Sequence, residues 1–266
     1  MKRYRITDGS DFHLADWDPA DTSDFEGGKR AARAEVAELK DRLDALQERF
    51  YADNRHRLLV VLQGMDTSGK GGAVKVFTGM NPAGVRVTSF KAPTEEDLAH
   101  DYLWRVHPHV PADGQIAVFD RSHYEDVLIA RVRNLVPAEQ WERRYDHIRH
   151  FERMLADEGT VIRKFFLHIS REAQRRRLQA RLDDPTKHWK FRSGDLAERQ
   201  RWGDYQAAYE MAIGRTSTEE APWYVVPADR KWHRDLVIAR TLVETLEELD
   251  LRYPEPEEKL DGIVVS

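Results

Sequence analysis

The order of apolar and polar residues along this 266-residue chain predicts one long helix, followed by strands and helices in turn. Between about residues 28 and 51, apolar residues recur at helical spacing with charged residues between them, which predicts an amphipathic helix. The apolar stripe of this helix consists of Val36, Leu39, Leu43, Leu46 and Phe50. Residues 1–26 show no sustained period and are predicted to form an irregular arm.

Short apolar runs follow this helix and are separated by stretches with helical spacing. The run 58–62 is apolar at every position, which is typical of a strand buried on both faces of a parallel sheet. Further strands are predicted at 85–90, 116–119, 161–167 and 223–226. Helices are predicted directly after Lys70 and at about 95–109, 123–134, 138–157, 171–182, 195–213 and 232–250. The alternation predicts an α/β fold with helices on both faces of a parallel sheet.

Composition excludes several classes of protein. The chain has no cysteine, which excludes disulfides, thiolate metal sites and cysteine nucleophiles. No apolar run approaches the roughly 18 residues that cross a bilayer, and no apolar stretch follows the basic N-terminus. A formal net charge of -5 argues against a nucleic-acid-binding protein. These features predict a cytoplasmic protein with neither a membrane nor a nucleic acid as partner.

A glycine-rich segment, residues 64–72, stands between the predicted strand 58–62 and a predicted helix. Its pattern Gly-x4-Gly-Lys is that of a phosphate-binding loop, in which backbone amides approach phosphate oxygens and the lysine, Lys70, adds a charge. The loop residues predicted to bind phosphate are Gly64, Thr67, Ser68, Gly69, Gly71 and Gly72. The alternative to a phosphate-binding loop is a glycine-rich turn that has no function and carries a surface lysine.

The loop lacks the hydroxyl residue that commonly follows its lysine and ligates Mg²⁺, because that position is Gly71. Two carboxylates are candidate replacements: Asp66 inside the loop, and Asp120 at the end of the strand 116–119. Mn²⁺ is the alternative ion. Asp66 has two further interpretations, a base for the attacking phosphate and a helix cap. Arg121 is predicted to neutralise charge on the transferred phosphoryl group.

Cations are concentrated between residues 171 and 190. The part from Arg181 to Lys190 follows a predicted helix and contains Pro185, which is typical of the mobile lid of small kinases. The alternative is an exposed helix with solvated charges, and it is favoured for each of Arg175, Arg176 and Arg177 taken singly.

Four segments together resemble the polyphosphate kinase 2 family, enzymes that transfer phosphoryl groups between inorganic polyphosphate and nucleotides. They are GMDTSGKGG at 64–72, NPAGVRVTSFKAPT at 81–94, FDRSHYEDVL at 119–128 and DPTKHWK at 184–190. The similarity runs from about residue 30 to 250. The resemblance implies a P-loop kinase fold of thymidylate-kinase-like type with a helical lid at about 171–195. It also implies Mg²⁺ dependence and a cationic channel for polyphosphate.

The resemblance also implies roles for single residues. Asp66 and Asp120 would hold the metal, and Lys70 would contact the transferred phosphate. The cations that would meet phosphates are Arg121, Arg131, Arg181, Lys187 and Lys190, with Lys75 and Lys91 in the channel. Glu125 replaces the asparagine usual in members specialised for diphosphates, which favours AMP as well as ADP as acceptor. ATP and guanine nucleotides are further expected ligands.

Three regions are predicted. Residues 1–54 form an N-terminal arm and helix packed on the core, 55–253 form the kinase domain, and 254–266 form a loose tail. The helix at 28–51 either covers the sheet or forms an oligomer contact, and a homo-oligomer is expected. An ATP-dependent nucleotide kinase on the same scaffold is the alternative enzyme, and a phosphate-binding scaffold is the alternative without catalysis.

Overall fold

The computed structural model describes residues 1–259, 261 and 263–265. Its six strands are β1 (Arg5–Ile6), β2 (Arg57–Gln63), β3 (Val85–Ser89), β4 (Ile116–Asp120), β5 (Thr160–His168) and β6 (Trp223–Pro227). Its α-helices are α1 (Gly28–Asp53), α2 (Lys70–Ala73), α3 (Glu95–Ala99), α4 (Ile129–Val132), α5 (Ala138–Asp157), α6 (Arg171–Leu182), α7 (Gly194–Gln200), α8 (Trp202–Thr216) and α9 (Lys231–Glu247). Residues 260, 262 and 266 of the predicted tail lie outside this description.

The strands form one sheet in the order β1-β6-β5-β2-β4-β3. Neighbours from β6 to β3 are parallel, and β1 alone is antiparallel, pairing Arg5 with Tyr224 at the edge. Six of the seven residues of β2 are buried, because this strand lies between two others and under helices on both faces. The predicted α/β fold with a parallel sheet is confirmed, apart from the antiparallel edge strand β1.

Two neighbouring residues of β5 show that helices cover both faces of the sheet. Consecutive side chains of a strand point to opposite faces. Arg163 bonds Thr245 of α9, whereas Lys164 bonds Glu152 of α5. The helix α1 packs along α9, with Leu43, Leu46 and Phe50 buried in the hydrophobic core. An oligomer contact of this helix stays a prediction.

Several helix predictions were wrong. The predicted helix 95–109 is only the short α3 and a 3₁₀ turn at His107–His109. The helix α3 buries none of its side chains, and its chain turns extended at His100. The carboxylate of Asp101 then accepts the amide of Leu103, which competes with helical bonding.

The other departures are breaks in predicted helices. After Lys70 the α-helix lasts four residues and continues as a 3₁₀ turn to Phe77. The predicted 123–134 helix divides at residues 127–128, and the predicted 195–213 helix divides at Arg201. The arm 1–26 is mainly irregular, but it supplies the edge strand β1 and two 3₁₀ turns.

Candidate active site

The glycine loop leaves β2 at Gln63 and turns sharply into α2. Gly69 has φ +107°, and Thr67 has φ +65°, a left-handed conformation that a residue with a side chain rarely adopts. The φ of Gly69 favours glycine, and a Cβ there would also lie 1.9 Å from Nη1 of Arg234 in α9, so that the arginine side chain would have to move. Nζ of Lys70 donates to the carbonyl oxygen of Gly64 at 2.6 Å, which folds the lysine back over the loop.

The loop leaves amides free for a ligand. Ser68 donates its amide to the carbonyl of Met65 at 2.9 Å, which closes the turn. Among residues 67–72, the amides of Thr67, Gly69, Lys70 and Gly71 donate no backbone hydrogen bond within the part of the chain that the structure describes. Unpaired amides wrapped around one point form an anion-binding nest.

Asp120 and Asp66 face the same nest from different elements. Asp120 ends β4 beside Leu62 of β2, and the amide of Arg121 donates to the carbonyl of Leu62 at 3.1 Å. Nη2 of Arg121 lies 2.9 Å from Oδ1 of Asp66, so the arginine reaches across to the loop. The structure thus brings together the predicted residues Asp66, Asp120 and Arg121, although they come from two separate segments.

The carboxylates fit a hard cation. Asp120 is half-buried, and its carboxylate makes no hydrogen bond or ion pair among residues 1–259, 261 and 263–265. Asp66 uses one oxygen for Arg121. The described residues contain no cluster of three or more His, Cys, Asp or Glu placed for a metal. Mg²⁺ needs only one or two carboxylates, completing its shell with water and phosphate oxygens, so this donor set fits Mg²⁺.

Lys70, Arg121 and Glu125 form the electrostatic centre of the site. Burial lowers the pKa of Lys70, helped by Arg121 and opposed by the carboxylates of Asp66 and Asp120. Burial also raises the pKa of Glu125, while Arg121 and Lys70 favour its charged form. A phosphate entering here meets two cations, the buried Lys70 and the partly exposed Arg121. Burial strengthens the interaction of a charge with its neighbours.

A buried polar cluster supports the His123–Asp126 turn that carries Glu125. Nζ of Lys164 donates to Oε2 of Glu152 at 2.6 Å and to Oη of Tyr124 at 2.9 Å. The hydroxyl of Tyr124 donates to Glu152 at 2.8 Å, and Nε2 of His123 lies 3.3 Å from the same carboxylate. All four side chains are buried, so His123 belongs to the support of the turn.

The predicted lid cations form contacts within the lid itself. Nη1 of Arg181 lies 3.1 Å from Oδ2 of Asp195 and donates to the carbonyl of Lys190 at 3.0 Å. Burial raises the pKa of Asp195, and the carboxylate of Asp66 adds to this effect. Lys187 pairs with Asp184 at 2.6 Å. The lysines at 187 and 190 are exposed and face solvent.

Three predicted phosphate contacts lie further out. The guanidinium of Arg131 lies over the ring of Trp141, 4.6 Å from its centroid, and its Nη1 is 3.3 Å from the hydroxyl of Tyr145. Lys75 follows α2, and Lys91 follows β3, both exposed. The structure does not bring these three into contact with the Asp66–Arg121 pair, and their phosphate-binding roles stay predictions.

Arg177 is a functional candidate that the sequence interpretation missed. It was assigned to solvated charge, but its guanidinium donates to the carbonyls of Thr67 and Ser68 in the glycine loop. Its helix neighbours Arg175 and Arg176 are exposed, as expected. The available signal was helical spacing: Arg177 lies beside the buried positions Ala173 and Gln174, one turn earlier on α6.

A glycine loop after a buried strand, a carboxylate at the end of the adjacent parallel strand and an arginine that joins them define a P-loop kinase. The chain belongs to the polyphosphate kinase 2 family, because the model of the family described as Polyphosphate kinase 2 matches residues 26–254. The resemblance inferred from the four sequence segments is therefore confirmed.

Individual relatives agree over the full length. The chain is 58% identical to the AMP/ADP-polyphosphate phosphotransferase of Meiothermus ruber, and the alignment covers 100% of both chains. It is 42% identical to the ADP-polyphosphate phosphotransferase of Rhodopseudomonas palustris, over 96% of this chain and 92% of that one. The crystal structure of Polyphosphate Kinase 2 from Arthrobacter aurescens TC1 superposes with a TM-score of 0.94 at 47% identity, covering 97% and 93% of the two chains.

Proposed function

We propose that this protein transfers phosphoryl groups between inorganic polyphosphate and adenine nucleotides, using Mg²⁺ and phosphorylating AMP as well as ADP. The observation that carries the proposal is the meeting of Asp66, Lys70, Asp120 and Arg121 at one nest of unpaired amides. The similarity to the Meiothermus ruber enzyme, named for both AMP and ADP, supports the choice of acceptors.

The transfer forms one bond and breaks one bond. A phosphate oxygen of the nucleotide attacks the terminal phosphorus of polyphosphate, and the bond from that phosphorus to the bridging oxygen breaks. The shortened polyphosphate leaves with the electron pair on that oxygen. A phosphate monoester has a second pKa of about 6, so the attacking oxygen is already ionised at neutral pH. Asp66 is therefore not required as a base, which favours its role as a metal ligand.

Different groups of the site stabilise charge on different parts of the reactants. The loop amides and Lys70 hold the end of the donor chain, and Arg121 stabilises negative charge on the transferred phosphoryl group. Asp66 and Asp120 are the residues that would hold Mg²⁺, which when bound neutralises phosphate charge and orients phosphate oxygens. Glu125, whose charged form Arg121 favours, would contact the acceptor.

The direct test is an assay of purified protein with each donor against each acceptor. Polyphosphate or ATP is supplied as donor, with AMP, ADP, GMP or GDP as acceptor, with and without Mg²⁺, and products are separated by chromatography. We expect polyphosphate to convert AMP to ADP and ADP to ATP only with the metal present. Transfer from ATP alone, with no use of polyphosphate, would favour the ATP-dependent kinase, and no transfer from either donor would contradict the proposal.

Glu125 provides a test of acceptor choice. We expect Glu125→Asn to lower kcat/KM for AMP by about tenfold or more and to change kcat/KM for ADP by less than about threefold. The carboxylate supplies a contact that the shorter acceptor needs, whereas ADP reaches the site with its second phosphate. Steady-state rates with both acceptors measure the ratio, with the exposed Glu142→Asn as control. If kcat/KM fell by the same factor for AMP and for ADP, Glu125 would have no role in acceptor selection.

The rate of AMP phosphorylation at acidic pH should depend on the ionisation of Glu125. Because burial raises the pKa of Glu125, its ionised form is reached only at a higher pH than for an exposed glutamate. AMP phosphorylation should therefore increase with pH across the titration of Glu125. In Glu125→Asn only the rise that comes from ionisation of the AMP phosphate itself, with its second pKa of about 6, should remain.

A further inference from the structure

Two side chains of α6 hold the outer edge of the glycine loop. Gln174 and Arg177 are three positions apart and project from the same face of the helix. Nε2 of Gln174 donates to the carbonyl oxygen of Asp66 at 3.1 Å. Nη1 of Arg177 donates to the carbonyl oxygens of Thr67 at 2.9 Å and Ser68 at 3.0 Å. Three successive carbonyls of the loop therefore end on one helix face.

These contacts determine where the amides of the loop point. In a trans peptide unit the C=O and N–H groups point in opposite directions. With the carbonyls of Asp66 and Ser68 turned toward α6, the amides of Thr67 and Gly69 point away from it. Neither of these amides donates to a backbone acceptor in the described part of the chain. The same contacts maintain the left-handed φ of +65° at Thr67.

The amide of Gln174 has its orientation set by a second partner. Nη1 of Arg199, from α7, donates to Oε1 of Gln174 at 3.1 Å. Gln174 is completely buried, so water does not compete for either end of its amide. With its oxygen committed to Arg199, the NH₂ group of Gln174 faces the carbonyl of Asp66.

The guanidinium of Arg177 joins the loop to the end of the sheet. Its Nη2 donates to the carbonyls of Ala228 at 2.5 Å and Asp229 at 3.1 Å, directly after β6. Burial, with Arg234 nearby, lowers the pKa of Arg177 to about 10, so the group stays protonated at neutral pH. A planar fork of donors suits four carbonyls, which a lysine ammonium with three donors does not.

We infer that Gln174 and Arg177 are positioning residues for phosphoryl transfer, which hold the loop carbonyls so that the loop amides point at the donor phosphates. They touch neither donor nor acceptor. The inference rests on the proposed function, and it adds that the helix leading into the lid sets the geometry of the phosphate nest.

The test compares matched variants of one helix. Gln174→Met and Arg177→Met remove the donors while keeping most of the side-chain volume, and Arg177→Lys keeps the charge alone. The controls are Gln179→Met and Arg176→Met, whose side chains are exposed on α6. Rates are measured with polyphosphate and AMP well below the unfolding temperature of each variant, which is determined by thermal melting.

We expect Arg177→Met to lower kcat by about a hundredfold and Gln174→Met by about tenfold, because amides aimed at developing charge are worth such factors. The KM for polyphosphate should rise, whereas the KM for AMP should change less than about twofold. Arg177→Lys should recover less than half of the lost rate. A merely structural role predicts a lower melting temperature with kcat and both KM values unchanged below it, and that result would overturn the inference.

Binding of tripolyphosphate separates this inference from the proposed function. Calorimetric titration of the full chain with tripolyphosphate and Mg²⁺ needs no turnover. We expect Arg177→Met to weaken this binding by about tenfold or more relative to Arg176→Met. Equal binding by both variants overturns the inference even if wild-type protein is active. Absence of wild-type transfer with weakened variant binding overturns the proposed function alone.

Discussion

Asp120→Asn is expected to lower kcat for polyphosphate-driven phosphorylation of ADP by about a thousandfold, or ~4 kcal/mol of transition-state stabilisation. The carboxylate of Asp120 lies at the end of β4 with no protein partner among the described residues, which leaves it free for a metal. An amide has the same size but no charge, and Mg²⁺ strongly prefers a carboxylate oxygen.

Asp120→Asn should remove a metal ligand without disturbing the fold, because the Asp120 carboxylate has no partner among the described residues. No described ion pair breaks in Asp120→Asn, so the melting temperature should change by no more than about 2 °C. Asp66→Asn should lose as much activity, but it also removes the ion pair with Arg121. Binding of Mn²⁺, followed by electron paramagnetic resonance, should weaken in both variants. The control is Asp44→Asn, at an exposed carboxylate of α1 that pairs with no described residue. A kcat within about threefold of wild type in Asp120→Asn would contradict the metal assignment.

Arg121→Met is expected to lower kcat by about a thousandfold with either acceptor, because one correctly placed arginine supplies such factors in phosphoryl transfer. Arg121 has φ +64°, and its guanidinium contacts Asp66 at 2.9 Å while facing Glu125. Arg121→Lys should recover only part of the loss, because an ammonium cannot bridge a carboxylate and a phosphate with a planar fork. Arg149→Met, on the exposed surface of α5, is the matched control.

The pH profile distinguishes a chemical role of Arg121 from a loss of folding. Arg121 favours the charged form of Glu125, so its removal should raise the pKa of Glu125 further. The acid limb of residual AMP phosphorylation should then move to higher pH in Arg121→Met. An unchanged profile together with unchanged kcat would place Arg121 outside the reaction.

Each parallel strand lies within one residue of its predicted limits. For β2 and β4 the local pattern and the burial agree, because a continuous apolar run is typical of a strand buried on both faces. The helices α5 and α6 match for a similar reason, with one buried stripe and clear ends. The prediction of a helix at 95–109 was wrong because α3 buries none of its side chains. A short helix without packing against the core is not stable, even where the sequence has helical spacing.

The site was predictable where a motif lies within one segment. The loop 64–72 and the pair Asp120–Arg121 each follow a strand, and strand ends of a parallel sheet meet at one edge. Arg177 was not predictable in the same way. The charge of Arg177 predicted a side chain exposed to solvent. Its contacts with Thr67 and with Ala228 depend instead on the packing of α6 against distant segments.

The sequence by itself determined the family and the α/β order of the elements, and it predicted the residues that carry charge to the phosphates. Each of these depends on local pattern: apolar period, glycine spacing and the residue that ends a strand. Only the tertiary structure decided which side chains hold the loop in shape, because hydrogen bonds from Gln174 and Arg177 join positions far apart in the chain. It also decided that Asp66 pairs with Arg121 while Asp120 stays free for a metal, since both outcomes depend on how two strands and a loop lie in space.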